Sequence, residues 1–435
     1  MLEAVRNALR VPDLRRKILF TVGILVVYRL VAHVPVPGVD REALRLAFAA
    51  TSETGQLLSF LNLLSGGALA NFSVVALGVY PYITAQIVIQ LLTPLIPRLE
   101  ALMKEGEAGR QRVTQYTYLL TVPLAALQGI AQATIMRQSR VLVHFGFGQD
   151  ALLSLSIIAS LTAGTLFAIW LGELITQEGI GNGISIVILG GIVAEIPQNV
   201  ANLVVSDPVG LVIFVLVTIV TVGVIVFVQE GERRIPVQYG RRVVAQRGNR
   251  LRVAGGQATH IPLKVNSAGM IPLIFAQALL ILPSSIAGYF VYSQTSWVRA
   301  AATAINRAIG PGGSAYWVLY FLMVVGFTYF YTDVVFRQQN LPEMLQRQGG
   351  FIPGIRPGKR TEEYLNGVLR RITLVGALFL GAVAVLPWLV RGIAHTRGTL
   401  VTSAGLLIVV GVVLDTMRQL EAQLLMRRYE GFLRR

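Results

Sequence analysis

Residues 152–176 read Leu152-Leu153-Ser154-Leu155-Ser156-Ile157-Ile158-Ala159-Ser160-Leu161-Thr162-Ala163-Gly164-Thr165-Leu166-Phe167-Ala168-Ile169-Trp170-Leu171-Gly172-Glu173-Leu174-Ile175-Thr176. Only Glu173 in this run is ionisable, and it stands near the end. About 20 apolar residues are what an α-helix needs to cross a hydrocarbon layer about 30 Å thick. Similar stretches recur at Ile18–Val34, Phe72–Ile96, Gln115–Met136, Ile180–Ile196, Val209–Val228, Asn266–Val291, Ala315–Phe336, Ile372–Val390 and Leu400–Met417. A β-barrel would show short alternating segments instead. Composition agrees: of 435 residues, 54% are hydrophobic and 14% charged, whereas a soluble domain keeps about a quarter charged. Mean hydropathy is +0.63. A soluble globular protein, a disordered tail and a disulfide scaffold are excluded. The expected fold is an all-α membrane protein with ten transmembrane helices. With no cysteine there is no thiolate metal site, redox pair or cysteine nucleophile.

Arg15-Arg16-Lys17 precede the first stretch as they would in a signal peptide. Arg29 interrupts the apolar run, no small-x-small site follows, and nine more stretches do, so the reading is an uncleaved first span. The cations then set orientation. Met1–Lys17, Pro97–Thr114, Gln229–Val265, Arg337–Arg371 and Arg418–Arg435 share one side and hold 29 of the 38 Lys and Arg residues, against 8 on the other side. The positive-inside bias places both termini in the cytosol. The net charge of +16 is accounted for by this bias and two large cytosolic loops, so DNA need not be a partner.

Loop Gln229–Val265 pairs Arg233, Arg234, Arg241 and Arg242 in its first part with the alternating run Ala258–Val265. Two short strands around a basic tip at Gly248-Asn249 predict a β-hairpin finger. Topogenesis needs few cations, so eight in one patterned loop favour a docking surface over a loop held by anionic headgroups. Loop Arg337–Arg371 has a helical stretch at Leu341–Gln348 and then a Gly- and Pro-rich tip carrying Arg356. Thr361 followed by Glu362 and Glu363 predicts a capped helix start. A stiff tip presenting one arginine suits contact with a large partner.

Transporters and pumps keep charges deep in the bundle. Here Glu173, Glu195, Asp333 and Asp415 lie near span ends, and Arg29 is expected to snorkel toward the outer face. The four histidines, His33, His144, His260 and His395, lie at ends or in loops, and no metal motif is present. Gln86 and Gln90 are four apart and share a helix face; they are either packing glue or a polar gating seam. Leu57–Phe72 is apolar and helix-like for about two turns, then broken by Gly66-Gly67. That predicts a short re-entrant element on the outer side, buried in protein or lining a cavity. Ser65 beside Gly66 invites a protease reading, but no histidine lies deep in a span to activate it. No GxxxxGK[ST] loop is present either. No enzymatic activity and no cofactor are expected.

At this point the chain resembles the SecY family, pore subunits of the bacterial protein-translocation channel, over its whole length. The resemblance rests on Leu64-Ser65-Gly66-Gly67-Ala68-Leu69, Leu77-Gly78-Val79-Tyr80-Pro81-Tyr82-Ile83, Gly179-Ile180-Gly181-Asn182-Gly183-Ile184-Ser185, Lys264-Val265-Asn266-Ser267-Ala268-Gly269-Met270-Ile271-Pro272 and Pro353-Gly354-Ile355-Arg356-Pro357-Gly358. It implies two pseudo-symmetric halves of five spans, residues 1–205 and 206–435, around an hourglass pore opening sideways to lipid. It implies a pore ring of Val79, Ile83, Ile184, Ile188, Ile274 and Ile408. It implies a plug over 57–71, including Leu61, Asn62, Leu63, Leu64, Ser65, Gly66 and Gly67. Spans two and seven, with three and eight, would form a lateral gate carrying Gln86 and Gln90. The basic loops would dock the SecA motor ATPase and the ribosome, and SecE and SecG would be small membrane partners. The implied function is translocation of unfolded secretory polypeptides bearing signal sequences across the plasma membrane, with release of hydrophobic segments among the lipids. A polytopic solute carrier is the rival, and would need polar substrate ligands at the midplane.

Overall fold

The computed structural model describes residues 10–49, 62, 65–146, 150–206, 208–239, 243–247, 250–254, 258–291, 295–310, 315–339, 341–394 and 403–433. Its order is α1 (Pro12–Val31), α2 (Arg41–Ala49), α3 (Tyr80–Leu92), α4 (Pro97–Lys104), α5 (Glu107–Gln138), α6 (Ala151–Glu178), α7 (Gly183–Ser206), α8 (Pro208–Glu230), β1 (Glu232–Tyr239), β2 (Val243–Arg247), β3 (Arg250–Ala254), β4 (Ala258–Lys264), α9 (Ile271–Phe290), α10 (Ser296–Ile309), α11 (Tyr316–Gln339), α12 (Leu341–Arg347), β5 (Gly350–Phe351), α13 (Lys359–Ala394) and α14 (Ser403–Leu433). Each apolar stretch singled out above carries a helix. Among the described residues, four helical segments are long and apolar enough to cross a membrane alone: Glu107–Gln138, Ala151–Glu178, Tyr316–Arg347 and Lys359–Leu386. Their outward faces are apolar: Leu119 is 70% exposed and Leu152 86%. Such faces are unfavourable in water and neutral in lipid. Threonine hydroxyls inside the bundle, such as those of Thr84, Thr121 and Thr328, donate to the carbonyl four residues back, which satisfies them without an outside partner.

The second stretch departs from expectation. Phe72–Ile96 was expected to be one span, but residues 72–79 run as turns and the helix begins only at Tyr80. The Val36 amide donates to the Phe72 carbonyl and the Val74 amide to the Val34 carbonyl, both at 3.0 Å, so this segment is tied to the end of α1. Gly78 adopts φ 55°, a left-handed value that glycine tolerates, and Pro81 fits the first helical turn. Pro94 then ends the helix, and α4 leaves at 103° to it. Thirteen helical residues reach only about 20 Å.

The two large loops form one body. Strands β1 and β4 pair antiparallel from Glu232↔Lys264 to Gln238↔Ala258, and β2 pairs with β3 from Val243↔Ala254 to Arg247↔Arg250. The finger is therefore the expected hairpin. The sequence did not announce that β5, from the other loop, would pair with β1 through Gln238↔Phe351 and Tyr239↔Gly350. Ile235, Val237 and Leu263 of the finger share a core with Phe336, Leu345, Ile352, Leu365 and Leu369 of the second loop and its flanking helices. Thr361 does not cap α13 as expected. It lies inside the first turn, buried, and its hydroxyl donates to the Arg356 carbonyl at 3.0 Å.

Candidate functional site

The largest apolar core gathers side chains from helices of both sequence halves. Val79 caps α3 and Ile83 lies one turn on; Ile184 and Ile188 stand one turn apart on α7, Ile274 on the first turn of α9, and Ile408 on α14. Val79, Ile83, Ile188 and Ile408 are buried, and Ile184 and Ile274 pack against them in the same cluster. None of these six side chains offers a hydrogen bond, the property by which an apolar ring, where it narrows a channel, excludes water by dewetting.

Next to this core lies a compact turn. The Gly67 amide donates to the Asn62 carbonyl, the Ser65 hydroxyl donates to the same carbonyl, and the Leu69 amide donates to the Ser65 hydroxyl. The Ala70 amide reaches the Asn62 side-chain oxygen at 2.7 Å, and Leu69–Asn71 closes the turn as one 3₁₀ turn. Consecutive residues of α1 hold consecutive carbonyls of the turn: the Tyr28 hydroxyl donates to Ser65 at 3.1 Å and the Arg29 guanidinium to Gly66 at 2.6 Å. Arg29 therefore does not simply snorkel; it ends on a backbone carbonyl. Gly66 itself, with φ 66°, lies against Gly191 of α7 so closely that a Cβ on Gly66 would stand 2.6 Å from the Gly191 Cα. Both glycines are required, one for its φ and both for the approach. Leu61, Leu63 and Leu64 lie outside the described residues.

The seam between α3, α5 and α9 is polar in places. The Tyr80 hydroxyl on α3 donates to the Ala278 carbonyl on α9 at 2.6 Å, joining residues 198 apart in sequence. Gln86 is half-buried. Gln90 Oε1, both amide atoms of Gln128 on α5, and Gln277 Oε1 on α9 are buried without hydrogen-bond partners among the described residues. Each such group weakens a closed interface by roughly 1–3 kcal/mol. Sequence reasoning flagged Gln86 and Gln90 but missed Tyr80, Gln128 and Gln277. Gln128 and Gln132, four apart in an apolar stretch, were a readable signal of the same kind.

On the loop body, Arg233 and Arg234 are exposed on β1, and Arg234 pairs with Glu232 at 2.7 Å. Arg241 and Arg242 lie outside the described residues. Arg356 is exposed between Gly354 and Gly358, whose φ values are 81° and 110°. The finger base and the Arg356 tip are thus held by one three-stranded sheet. At its membrane-side edge Lys264 is half-buried; desolvation lowers its pKa, and Arg418 adds repulsion. Arg418 bridges to Glu230 at 2.7 Å and Asp415 at 3.7 Å.

A protein-family model named SecY matches residues 73–417. The chain belongs to the SecY family. Protein translocase subunit SecY of Streptomyces galbus is 42% identical over 446 residues, with all of both chains covered. That of Mycobacterium bovis is 43% identical over 453 residues with the same coverage. Among solved structures, a protein-conducting channel aligns over 94% of this chain and 92% of its own, with TM-score 0.62 and 17% identity. A SecY structure whose plug domain stabilises the closed state and maintains a membrane seal aligns with TM-score 0.61, 18% identity and the same coverage. Canine Sec61 in a ribosome–channel complex gives TM-score 0.60 and 18% identity, again with 94% and 92% covered. At these identities the structures establish the fold. SecY-family membership makes the chain a membrane channel subunit rather than an enzyme, and removes the solute-carrier rival.

Proposed function

We propose that this chain is the pore through which unfolded secretory polypeptides cross a bacterial plasma membrane. The observation that carries the reading is the convergence of six branched aliphatics from α3, α7, α9 and α14 on one core. They serve as the constriction, in a bundle of ten spans divided into halves at about residues 205 and 206, with both termini cytosolic. The turn at 65–71 is the visible part of a plug that closes the constriction, and the α3/α9 seam, with α5 and α11, is the lateral gate. Buried amides in that seam support the gate assignment because they cost less once the seam parts. The loop body docks the energy source, SecA or a ribosome, and SecE and SecG complete the complex. In support, the sheet places Arg233, Arg234 and the Arg356 tip on one rigid body.

Site-specific photocrosslinking to a stalled secretory precursor tests this. Probes at Ile83 and Ile274 are expected to crosslink, and a probe at Phe227, which is 81% exposed on α8, is not. Absence of crosslinks from both ring positions, with the precursor docked, would refute the pore assignment.

A further inference from the structure

Helix α10 presents three stripes, each recurring every four residues, and each stripe faces a different environment. Ala302 is buried against the protein, where α10 packs on α9 and α11. Trp297 and Ile305 are 73% and 40% exposed and form an apolar stripe with Ala301. Arg299, Thr303 and Arg307 form the third. Both arginines are exposed and make no ion pair among the described residues. They border an open groove of about 570 Å³ whose apolar wall is Val291, Ala300 and Ala304.

The position of α10 follows from the chain. Helix α9 leaves the loop sheet at β4, and α11 returns to it through α12 and β5. Helix α10 joins their far ends, so it lies at the membrane surface opposite the docking body. A helix with one protein stripe, one apolar stripe carrying a tryptophan, and one cationic stripe suits the headgroup layer. The arginines are eight residues apart, or about 12 Å along the axis. That spacing holds phosphates on neighbouring headgroups, while the groove wall accepts the upper part of an acyl chain. Two uncompensated cations favour a lipid of net negative charge over a zwitterionic one.

We infer that the Arg299–Thr303–Arg307 face and its groove form a binding site for anionic phospholipid, anchoring the α9–α11 connection in the leaflet away from the docking loops. The site lies outside the pore, plug and gate. One surface cation contributes about 1 kcal/mol toward an anionic leaflet, or about fivefold in affinity.

The test places the full-length protein in phosphatidylcholine nanodiscs with a rising fraction of acyl-brominated phosphatidylglycerol. Quenching of Trp297 is read after subtracting the Trp297→Phe protein. Half-maximal quenching is expected at a low phosphatidylglycerol fraction. It should move about fivefold higher in Arg299→Gln and in Arg307→Gln, and scarcely at all in Arg299→Lys. Equal titrations for wild type and both glutamine variants would overturn the inference. So would equal quenching by brominated phosphatidylcholine at the same fraction, which would mean immersion without a site. A lysine variant as weak as the glutamine variants would overturn it too, because it keeps the charge.

Discussion

Gly191→Ala places one methyl group where α7 meets the Gly66 turn. The reciprocal contact stands at 2.6 Å, whereas non-bonded carbons settle at about 3.5–4.0 Å. The turn must therefore retreat by roughly 1 Å. A displacement of that size is enough to break the Arg29–Gly66 hydrogen bond, which is 2.6 Å long. Overpacking costs about 1–3 kcal/mol, and a hydrogen bond to a charged group is worth about 1.5–3 kcal/mol. The turn cannot lose both in full, since moving away relieves the clash. A net shift of about 1–3 kcal/mol is about 5- to 150-fold in the ratio of displaced to seated turn. Alanine also favours helix over glycine by about 1 kcal/mol, but that gain is the same whether the turn is seated or displaced, so it cancels. Ion leak through the reconstituted complex in a planar bilayer reads the ratio directly. Gly191→Ala should raise open time within that range, and Arg29→Gln should raise it as well. The double variant should fall short of the product, because both changes act on one turn. Wild-type leak from a normally assembled Gly191→Ala channel would refute the view that this contact seats the turn.

Tyr80→Phe removes the hydrogen bond to the Ala278 carbonyl across the seam, worth about 0.5–1.5 kcal/mol; export of a precursor with a weakened signal sequence should rise, and unchanged export would count against the tie. Arg356→Glu should block motor-driven export while membrane insertion of the channel itself stays normal, as read by pulse-chase of a secreted reporter. Lys264 is held below the ordinary lysine range by desolvation and Arg418. Its unfolded form binds the proton more tightly, so stability should rise with pH from the folded value up to the ordinary lysine range. Lys264→Met should flatten that rise, measured as Tm in detergent as pH is raised toward the ordinary lysine range, and parallel slopes would refute the assignment.

The membrane class and the finger hairpin were legible in sequence because they depend on local properties, as does the proposed orientation. Hydropathy within about 20 residues sets a span, cation placement sets its direction, and period-two alternation sets a strand. Gln86 and Gln90 were legible as a polar face for the same reason. What a short window could not hold was contact between distant segments. Arg29 looked like a misplaced charge until Gly66, 37 residues away, received its hydrogen bond. The second span shortened because residues 72–79 paired with the end of α1. Two loops whose paired strands lie more than a hundred residues apart became one sheet through β5. The six aliphatics proposed as the ring are indistinguishable in sequence from lipid-facing ones, since isoleucine serves both surfaces equally well in an apolar solvent. The sequence by itself determined that the chain lies in a membrane, and its cations carry the proposal for which way it runs. Tertiary structure decided which apolar faces turn inward and which glycines touch, because those depend on shape complementarity between helices and not on hydrophobicity.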